Sequence, residues 1–132
     1  MKESARVQDF FSKEGYTGRM KKFIAVFVAP IESYDKMKEE MKKKTPEERQ
    51  KEMVAWGEWM KRHEKIIIDR GAPVGSAKRV SEGGKITDVR NEIGGFMIIG
   101  AETAEEAASI FKDSPHFGVS GGGVEVMEML SM

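Results

Sequence analysis

The sequence predicts an α+β domain made of two βαβ halves, with one antiparallel sheet and helices on one of its sides. Residues 23–29 and 96–99 are continuous apolar runs whose length and β-branched or aromatic content are typical of strands buried on both faces. Thr45 and Thr103 each stand three residues before a glutamate, the capping pattern that opens a helix. The predicted order is therefore β–α–α–β–hairpin–β–α–β, a split ferredoxin-like arrangement.

Length and composition limit the classes of protein to consider. The chain has 132 residues, of which 39% are hydrophobic and 33% charged, so it forms one domain with a lean core, and oligomerisation is expected to add buried surface. It has no cysteine, which excludes disulfides, thiolate nucleophiles and Cys-ligated zinc. Its 22 basic and 22 acidic residues cancel, so we expect no nucleic-acid or membrane partner. No signal peptide or membrane span is predicted, and a cytoplasmic protein is expected.

We divide the chain into an arm, residues 1–20, and a single α+β domain, residues 21–132. In the arm, Val7, Phe10 and Phe11 have the spacing of one apolar helical face. The sequence leaves three alternatives open for this segment: it docks on the body of the domain, it docks on a partner subunit, or it is disordered.

The helices of the domain follow from capping signals. Ser33 is expected to cap a helix over residues 34–43, and Thr45 with Pro46 to open a longer helix over residues 46–63. The longer helix is expected to bury a stripe formed by Met53, Trp56, Met60 and His63, with Ala55 and Trp59 beside it. The remaining elements are expected to be a strand over residues 66–68 bending at 71–73, a hairpin turning at 81–84, a strand over 93–100, a helix over 104–112 and a final strand over 124–130.

Three stretches, in this order and spacing, resemble the YCII-related (DGPF) family of the dimeric α+β barrel superfamily. They are TPEERQKEMVAWGEWMKRHEKIIIDRGAPVG, IGGFMIIGAETAEEAASIFKDSPHF and GGGVEVMEM, and the similarity covers residues 21–130. The resemblance implies a ferredoxin-like fold, a homodimer with its sheets stacked into a barrel, and a pocket between sheet and helices.

The activity implied by the resemblance is less defined. Function is mostly unassigned across the family, a His/Asp pair has been suggested as catalytic in some members, and one branch resembles a dehydrochlorinase of chlorinated hydroquinones. The sequence departs from the family in two places. The expected histidine of the first long helix falls within residues 53–56, which contain none, and the Asp-Gly-Pro-Phe turn is replaced by residues 87–92, which keep only Asp88.

His116 and Asp113 are the candidate acid/base pair. His116 follows Ser-Pro at a helix end, where the helix dipole favours its cation, and Asp113 stands near enough in sequence to orient it. The alternative is a solvated or capping histidine. The second histidine, His63, lies at the end of the long helix, and the two histidines lack the spacing of a metal site, so neither a metal nor another cofactor is expected.

Five further residues are candidate pocket walls. Trp56, Trp59 and Met60 lie on the long helix, where an aromatic side chain either fills the core or stacks on a planar ligand. Arg70, at a strand end, is either solvated or binds an acidic group of the ligand. Glu125 and Glu128 point to opposite faces of the last strand, so one of them is expected in an apolar setting with a raised pKa.

Two functions from different classes fit these residues. The first is a homodimeric, small-molecule-binding α+β barrel protein that performs acid/base, lyase-like chemistry on a small planar ligand, with His116 as the titrating group. The second is a non-catalytic dimeric binding or regulatory module. The sequence defines neither the ligand nor any assembly beyond a dimer, and it leaves open whether the protein is an enzyme.

Overall fold

A computed structural model describes residues 20–131, and the predicted arm therefore lies almost entirely outside the described residues. The elements follow the predicted order. They are β1 (Lys21–Val28), α1 (Ile31–Lys43), α2 (Pro46–Arg62), β2 (Ile67–Pro73), β3 (Ala77–Val80), β4 (Ile86–Val89), β5 (Ile93–Ala101), α3 (Ala104–Ser109), a 3-10 helix (Pro115–Gly118) and β6 (Gly123–Glu128).

The main sheet has four strands in the order β2-β5-β1-β6, and each neighbouring pair is antiparallel. β1 is a central strand, with Ile24 opposite Ile98 on β5 and opposite Met127 on β6. The α+β class and the antiparallel sheet predicted from the sequence are confirmed, and the arrangement is compatible with a ferredoxin-like fold.

One face of the sheet carries the core. Phe23, Ala25 and Phe27 of β1 are buried, as expected for alternate residues of a strand whose one face is covered. They form one cluster with buried side chains of the other strands and of the helical segments: Trp59, Ile67, Met97, Ile99, Ala101, Ala107 and Phe111. The helical segments that contribute Trp59, Ala107 and Phe111 thus cover this face of the sheet, which we call the helix face.

The opposite face of the sheet, the open face, is apolar but only partly buried. Ile24 and Val26 of β1 lie on it beside Ile98 and Phe96 of β5, and Met127 of β6 is exposed. The expectation that strands 23–29 and 96–99 are buried on both faces is therefore wrong for a single chain. Helices cover only one side, so alternate residues of each strand remain accessible.

Helix α1 begins earlier than predicted. Its first residue is Ile31, and the N-cap position is Pro30, which makes no side-chain cap. Ser33 therefore lies inside the first turn, where its N–H donates to the Pro30 carbonyl at 2.9 Å, and its predicted capping role is wrong. The fixed φ of proline already suits the entry to a helix, so the chain turns there without a serine cap.

Tyr34 and Asp35 fasten α1, which buries no residue of its own, to the chain between β4 and β5. The Tyr34 hydroxyl donates to the Glu92 carbonyl at 3.1 Å, and burial followed by the Glu92 charge raises the pKa of the Tyr34 phenol. Asp35 accepts from both terminal nitrogens of Arg90, at 2.6 and 3.2 Å, and this hydrogen bonding lowers the pKa of the Asp35 carboxyl. Both links reach the loop between β4 and β5.

The capping box that opens α2 is confirmed. The Thr45 hydroxyl accepts from the Glu48 N–H, and the Glu48 carboxylate accepts from the Thr45 N–H, both at 3.2 Å. The predicted buried stripe is wrong in its position, because Trp59 is the buried residue of this helix while Met53 is 69% exposed. The face of α2 that packs on the core is therefore centred on Trp59, and Trp56 and Met60 are partly buried beside it.

Strands β3 and β4 form a separate two-stranded ribbon with the predicted turn at residues 81–84. Val80 and Ile86 are directly opposite each other near the turn and are 68% and 65% exposed. An ion pair between Lys78 and Asp88 lies beside them. The ribbon extends from the end of the main sheet at which β2 ends and β5 begins.

The helix and the strand in the last third of the chain are shorter than predicted. α3 ends at Ser109 rather than at residue 112, with the Thr103 hydroxyl accepting from the Glu106 N–H at 3.1 Å. The 3-10 helix was not predicted, and β6 ends at Glu128 rather than at residue 130. Among the helices of residues 20–131, none combines the length and the apolar character needed to cross a membrane.

Gly71 is the position at which this fold tolerates a side chain least. Its φ is +66°, and a Cβ built there would overlap the carbonyl of Phe96 on the adjacent strand. We expect Gly71→Ala to lower the free energy of unfolding in urea by at least about 2 kcal/mol, because both the left-handed backbone and the close approach are lost. Gly75→Ala is the control, since a Cβ at Gly75 meets no atom within 4 Å. Equal effects of the two substitutions would contradict this reading.

Candidate functional site

The candidate site lies where the end of β1 meets the 3-10 helix. Ser114 precedes that helix and its hydroxyl accepts from the His116 N–H at 3.2 Å, while Pro115 occupies the first position. Both Ser114 and His116 are buried, with His116 only 7% exposed. Ser-Pro thus starts a short helical turn that carries the His116 ring inward rather than into solvent.

The His116 ring is fixed by the main chain of β1. Its Nε2 lies 2.8 Å from the Val28 carbonyl oxygen, so the hydrogen of the neutral ring is on Nε2 and donates to that oxygen. The ring of Phe27 approaches edge-on, with a centroid distance of 5.4 Å and an interplanar angle of 62°. In this tautomer Nδ1 keeps its lone pair, which is the atom that can accept a proton.

Phe27 also joins His116 to the aromatic side chains between α2 and the sheet. Its ring is perpendicular to that of Trp56 at 5.4 Å and inclined to that of Phe111 at 5.9 Å. Trp59 stacks on Phe111 at 5.3 Å with an interplanar angle of 27°. Of the two tryptophans, Trp59 is completely buried and Trp56 only partly, so Trp56 is the one whose ring a ligand can reach without rearrangement.

Asp113 serves Trp59 rather than His116. Its Oδ1 accepts from the indole Nε1 of Trp59 at 3.1 Å, and its Oδ2 accepts from the Arg62 guanidinium at 3.1 Å. The hydrogen bonds of residues 20–131 include none between Asp113 and His116. The expectation that Asp113 orients His116 is therefore wrong in this structure. The Val28 carbonyl orients the His116 ring, and the Asp113 carboxylate accepts from the buried indole N–H of Trp59.

The other predicted wall residues divide into two groups. Met60 is partly buried against the core beside Trp56, as expected for a side chain on the same face of α2. Arg70 is exposed on β2, an edge strand that β5 separates from β1. Glu125 is exposed and opposite Val26, on the open face, so the sheet itself stands between it and His116.

The expectation of a carboxylate in an apolar setting on β6 is wrong for the single chain. Glu125 and Glu128 are both exposed, on opposite faces of the strand. Glu128 lies 3.7 Å from the Lys21 ammonium, at the end of the sheet where β1 begins. The two side chains do lie on opposite faces of β6, as predicted from strand alternation, but Glu128, on the helix face, is not buried there.

His63 is packed against Trp59, with ring centroids 4.5 Å apart, at the C-cap of α2. Its Nε2 is buried, and residues 20–131 provide no hydrogen-bond partner for it. The predicted position at the helix end is confirmed. Within residues 20–131 no three histidine or carboxylate groups converge as ligands for a metal ion.

Sequence reasoning missed three groups of this site: the Phe27 and Phe111 rings and the Val28 carbonyl. The alternation of β1 contains the signal for Phe27, because Phe23, Ala25 and Phe27 share one face. A backbone carbonyl leaves no mark in the sequence, since every residue has one.

Neither the protein-family models nor the curated proteins contain a match to this chain. The site must therefore be interpreted from its own geometry.

The bond from Trp59 to Asp113 predicts unequal effects of two truncations. Asp113→Ala leaves the buried indole N–H without an acceptor, so we expect the free energy of unfolding to fall by about 1–3 kcal/mol. Arg62→Ala removes only the exposed ion pair and should cost less than about 1 kcal/mol. Urea unfolding of both variants tests this, and a larger loss in Arg62→Ala would show that the ion pair, not the indole, gives Asp113 its role.

Proposed function

We propose that this chain is a homodimeric, small-molecule-binding α+β barrel protein whose ligand lies beside His116, between α2 and the sheet. The reaction proposed for it is acid/base, lyase-like chemistry on a small planar ligand. The observation that carries the proposal is the His116 ring, a titratable group held nearly buried by a main-chain hydrogen bond at the edge of an aromatic cluster.

His116 has the features that a general base needs. The Val28 carbonyl holds the hydrogen on Nε2, so Nδ1 is the nitrogen that takes a proton from the ligand and later returns it. The hydrogen bond from Nε2–H to that carbonyl oxygen stabilises the positive charge that forms on the ring. Asp113 has no part in this step, because its oxygens are bonded to Trp59 and Arg62.

A planar ligand is favoured by the aromatic neighbours. Phe27 is 5.4 Å from both Trp56 and His116, so a flat molecule that stacks on the accessible part of Trp56 comes within reach of the imidazole. Met60, beside Trp56, supplies an adaptable apolar contact.

The homodimer is supported by the open face. Ile24, Val26, Ile98 and Phe96 form a continuous apolar surface on the two central strands, and monomeric proteins seldom leave such a surface to solvent. A second copy stacked on this surface would bury these side chains in both subunits. This arrangement, together with the order β2-β5-β1-β6, supports the proposal that the chain belongs with the YCII-related family.

A non-catalytic dimeric binding or regulatory module is the second candidate. The observation that favours it is that both suggested catalytic groups already have structural partners, His116 on Val28 and Asp113 on Trp59. In this reading the same aromatic surface binds a ligand that is not converted.

A thermal-shift screen against hydroxylated and halogenated aromatics, carbonyl compounds and short acids tests the pocket. A ligand present at one hundred times its Kd is expected to stabilise the native state by about 2.7 kcal/mol and so to raise the Tm. The shift should be lost in Trp56→Ala and kept in His63→Ala, the variant of the other histidine. A shift that persists in Trp56→Ala would place the ligand elsewhere.

His116→Gln separates the two candidates, because the glutamine amide can still donate to the Val28 carbonyl and preserve the fold. For an enzyme we expect turnover of the screened ligand to fall by about 10²–10⁴-fold while its thermal shift remains. For a module, ligand binding is unchanged and the wild-type chain produces no product. Product formed equally by wild type and His116→Gln would contradict the role proposed for the imidazole.

Ile98→Lys tests the open face as the dimer contact. A charge in the middle of this surface has no partner in a stacked pair, so the dimer Kd measured by sedimentation equilibrium should rise at least about tenfold. Val54→Lys, at an exposed apolar position on α2, is the control and should leave the Kd unchanged. A chain that sediments as a monomer before any substitution would refute the dimer itself.

A further inference from the structure

Three consecutive glycines, residues 121–123, follow the 3-10 helix and lead into β6. The chain reaches them through turns, because the Val119 N–H donates to the His116 carbonyl and the Gly122 N–H donates to the Val119 carbonyl, each at 2.9 Å. The last of the three glycines pairs with Val28 of β1, the residue whose carbonyl holds the His116 ring. The glycine run therefore passes beside the candidate site.

The middle glycine lies against the imidazole itself. A Cβ built on Gly122 would stand 3.3 Å from Cδ2 of the His116 ring, 3.1 Å from the His116 carbonyl oxygen and 2.9 Å from the Val119 carbonyl oxygen. A methyl group fits at such distances only if the ring and the turn both shift. By contrast, a Cβ on Gly118, at the end of the same 3-10 helix, meets no atom within 4 Å. Of these two glycines, it is therefore Gly122 whose missing side chain makes room for His116.

The ring edge that faces Gly122 is also the edge that is bonded to β1. Cδ2 is covalently attached to Nε2, and Nε2 donates to the Val28 carbonyl at 2.8 Å. The Phe27 ring closes a further side of the imidazole, with a centroid distance of 5.4 Å. Nδ1 is the ring atom opposite the Nε2–Cδ2 bond, so it points away from the two main-chain segments. The position of Nδ1 thus depends on how closely Gly122 lets the His116 ring approach β1.

We propose that Gly122 is the positioning residue of His116. Its missing side chain lets the Nε2–Cδ2 edge pack on the main chain before β6 and reach the Val28 carbonyl, which directs Nδ1 to the ligand. A methyl group at this position would push Cδ2, and with it Nε2, away from the hydrogen bond. The catalytic meaning of this role rests on the proposed function, whereas the placement of the ring is a property of the free protein.

Proton exchange at Nε2 of His116, followed by NMR in the full chain, measures the placement without any ligand. A hydrogen-bonded and nearly buried ring N–H exchanges slowly with water, and its resonance is assigned by its loss in His116→Gln. In Gly122→Ala we expect the exchange rate to rise at least about tenfold, because the displaced ring opens from the Val28 carbonyl more readily. Gly118→Ala is the matched control and should keep the wild-type rate. Equal rates in wild type and Gly122→Ala would overturn the proposal.

A double-substitution cycle separates the positioning of the ring from a role in the turn alone. His116→Ala removes the contact with Cδ2 but keeps the two close contacts with main-chain carbonyls. We therefore expect Gly122→Ala to raise the unfolding equilibrium constant by a factor at least about three times smaller in the His116→Ala background than in the wild type. The same factor in both backgrounds would show that Gly122 serves only the turn. If Gly122→Ala does not fold, His116→Ala is expected to restore its circular dichroism spectrum, and a double variant that stays unfolded contradicts the proposal.

Turnover connects this placement with the proposed function. For a ligand that the wild-type chain converts, Gly122→Ala is expected to lower kcat at least about tenfold with KM nearly unchanged, because a displaced base still allows binding but reaches the ligand poorly. An unchanged kcat together with faster Nε2–H exchange would overturn the role of Gly122 in the reaction. A wild-type chain that converts no ligand refutes the proposed acid/base function instead, and the exchange rates then decide by themselves whether Gly122 positions the ring.

Discussion

The ring of Phe27 is the contact on which the rest of the structure depends. It is the last buried side chain of β1 on the helix face, and it meets Trp56 of α2, Phe111 after α3 and His116 of the 3-10 helix. The helical segments that cover the sheet therefore converge on one side chain. Because strand residues alternate, the same geometry that sends Phe27 inward leaves Val26 on the uncovered side.

The features predicted well from the sequence are those with local causes. The capping box at Thr45 and the apolar runs of β1 and β5 depend on neighbours in the chain, and the structure contains all of them. Ser33 failed as a cap because Pro30, three residues earlier, already fixes the helix entry. The stripe on α2 failed for a different reason. Helical periodicity allows several apolar faces on this helix, and which one is buried depends on Phe111 and Phe27, which are remote in sequence.

The candidate site was less predictable because its bonds are long-range. Trp59 and Asp113 are 54 positions apart, and His116 and Val28 are 88 apart, so no local pattern joins them. Closeness in sequence suggested that Asp113 serves His116. In the fold, the Asp113 carboxylate accepts from the buried indole N–H of Trp59, because leaving that N–H without an acceptor would cost free energy of folding. His116 does not need the carboxylate, since its ring is already bonded to the Val28 carbonyl.

Val28 links the site to the uncovered side of the sheet. Its carbonyl fixes the His116 tautomer, while alternation along β1 directs its side chain away from the helix face. It also lies where the pairing of β1 with β5 shifts register, and it is paired on both sides, with Ile93 of β5 and Gly123 of β6. One residue of β1 thus turns its side chain to the open face and holds the His116 ring with its main chain.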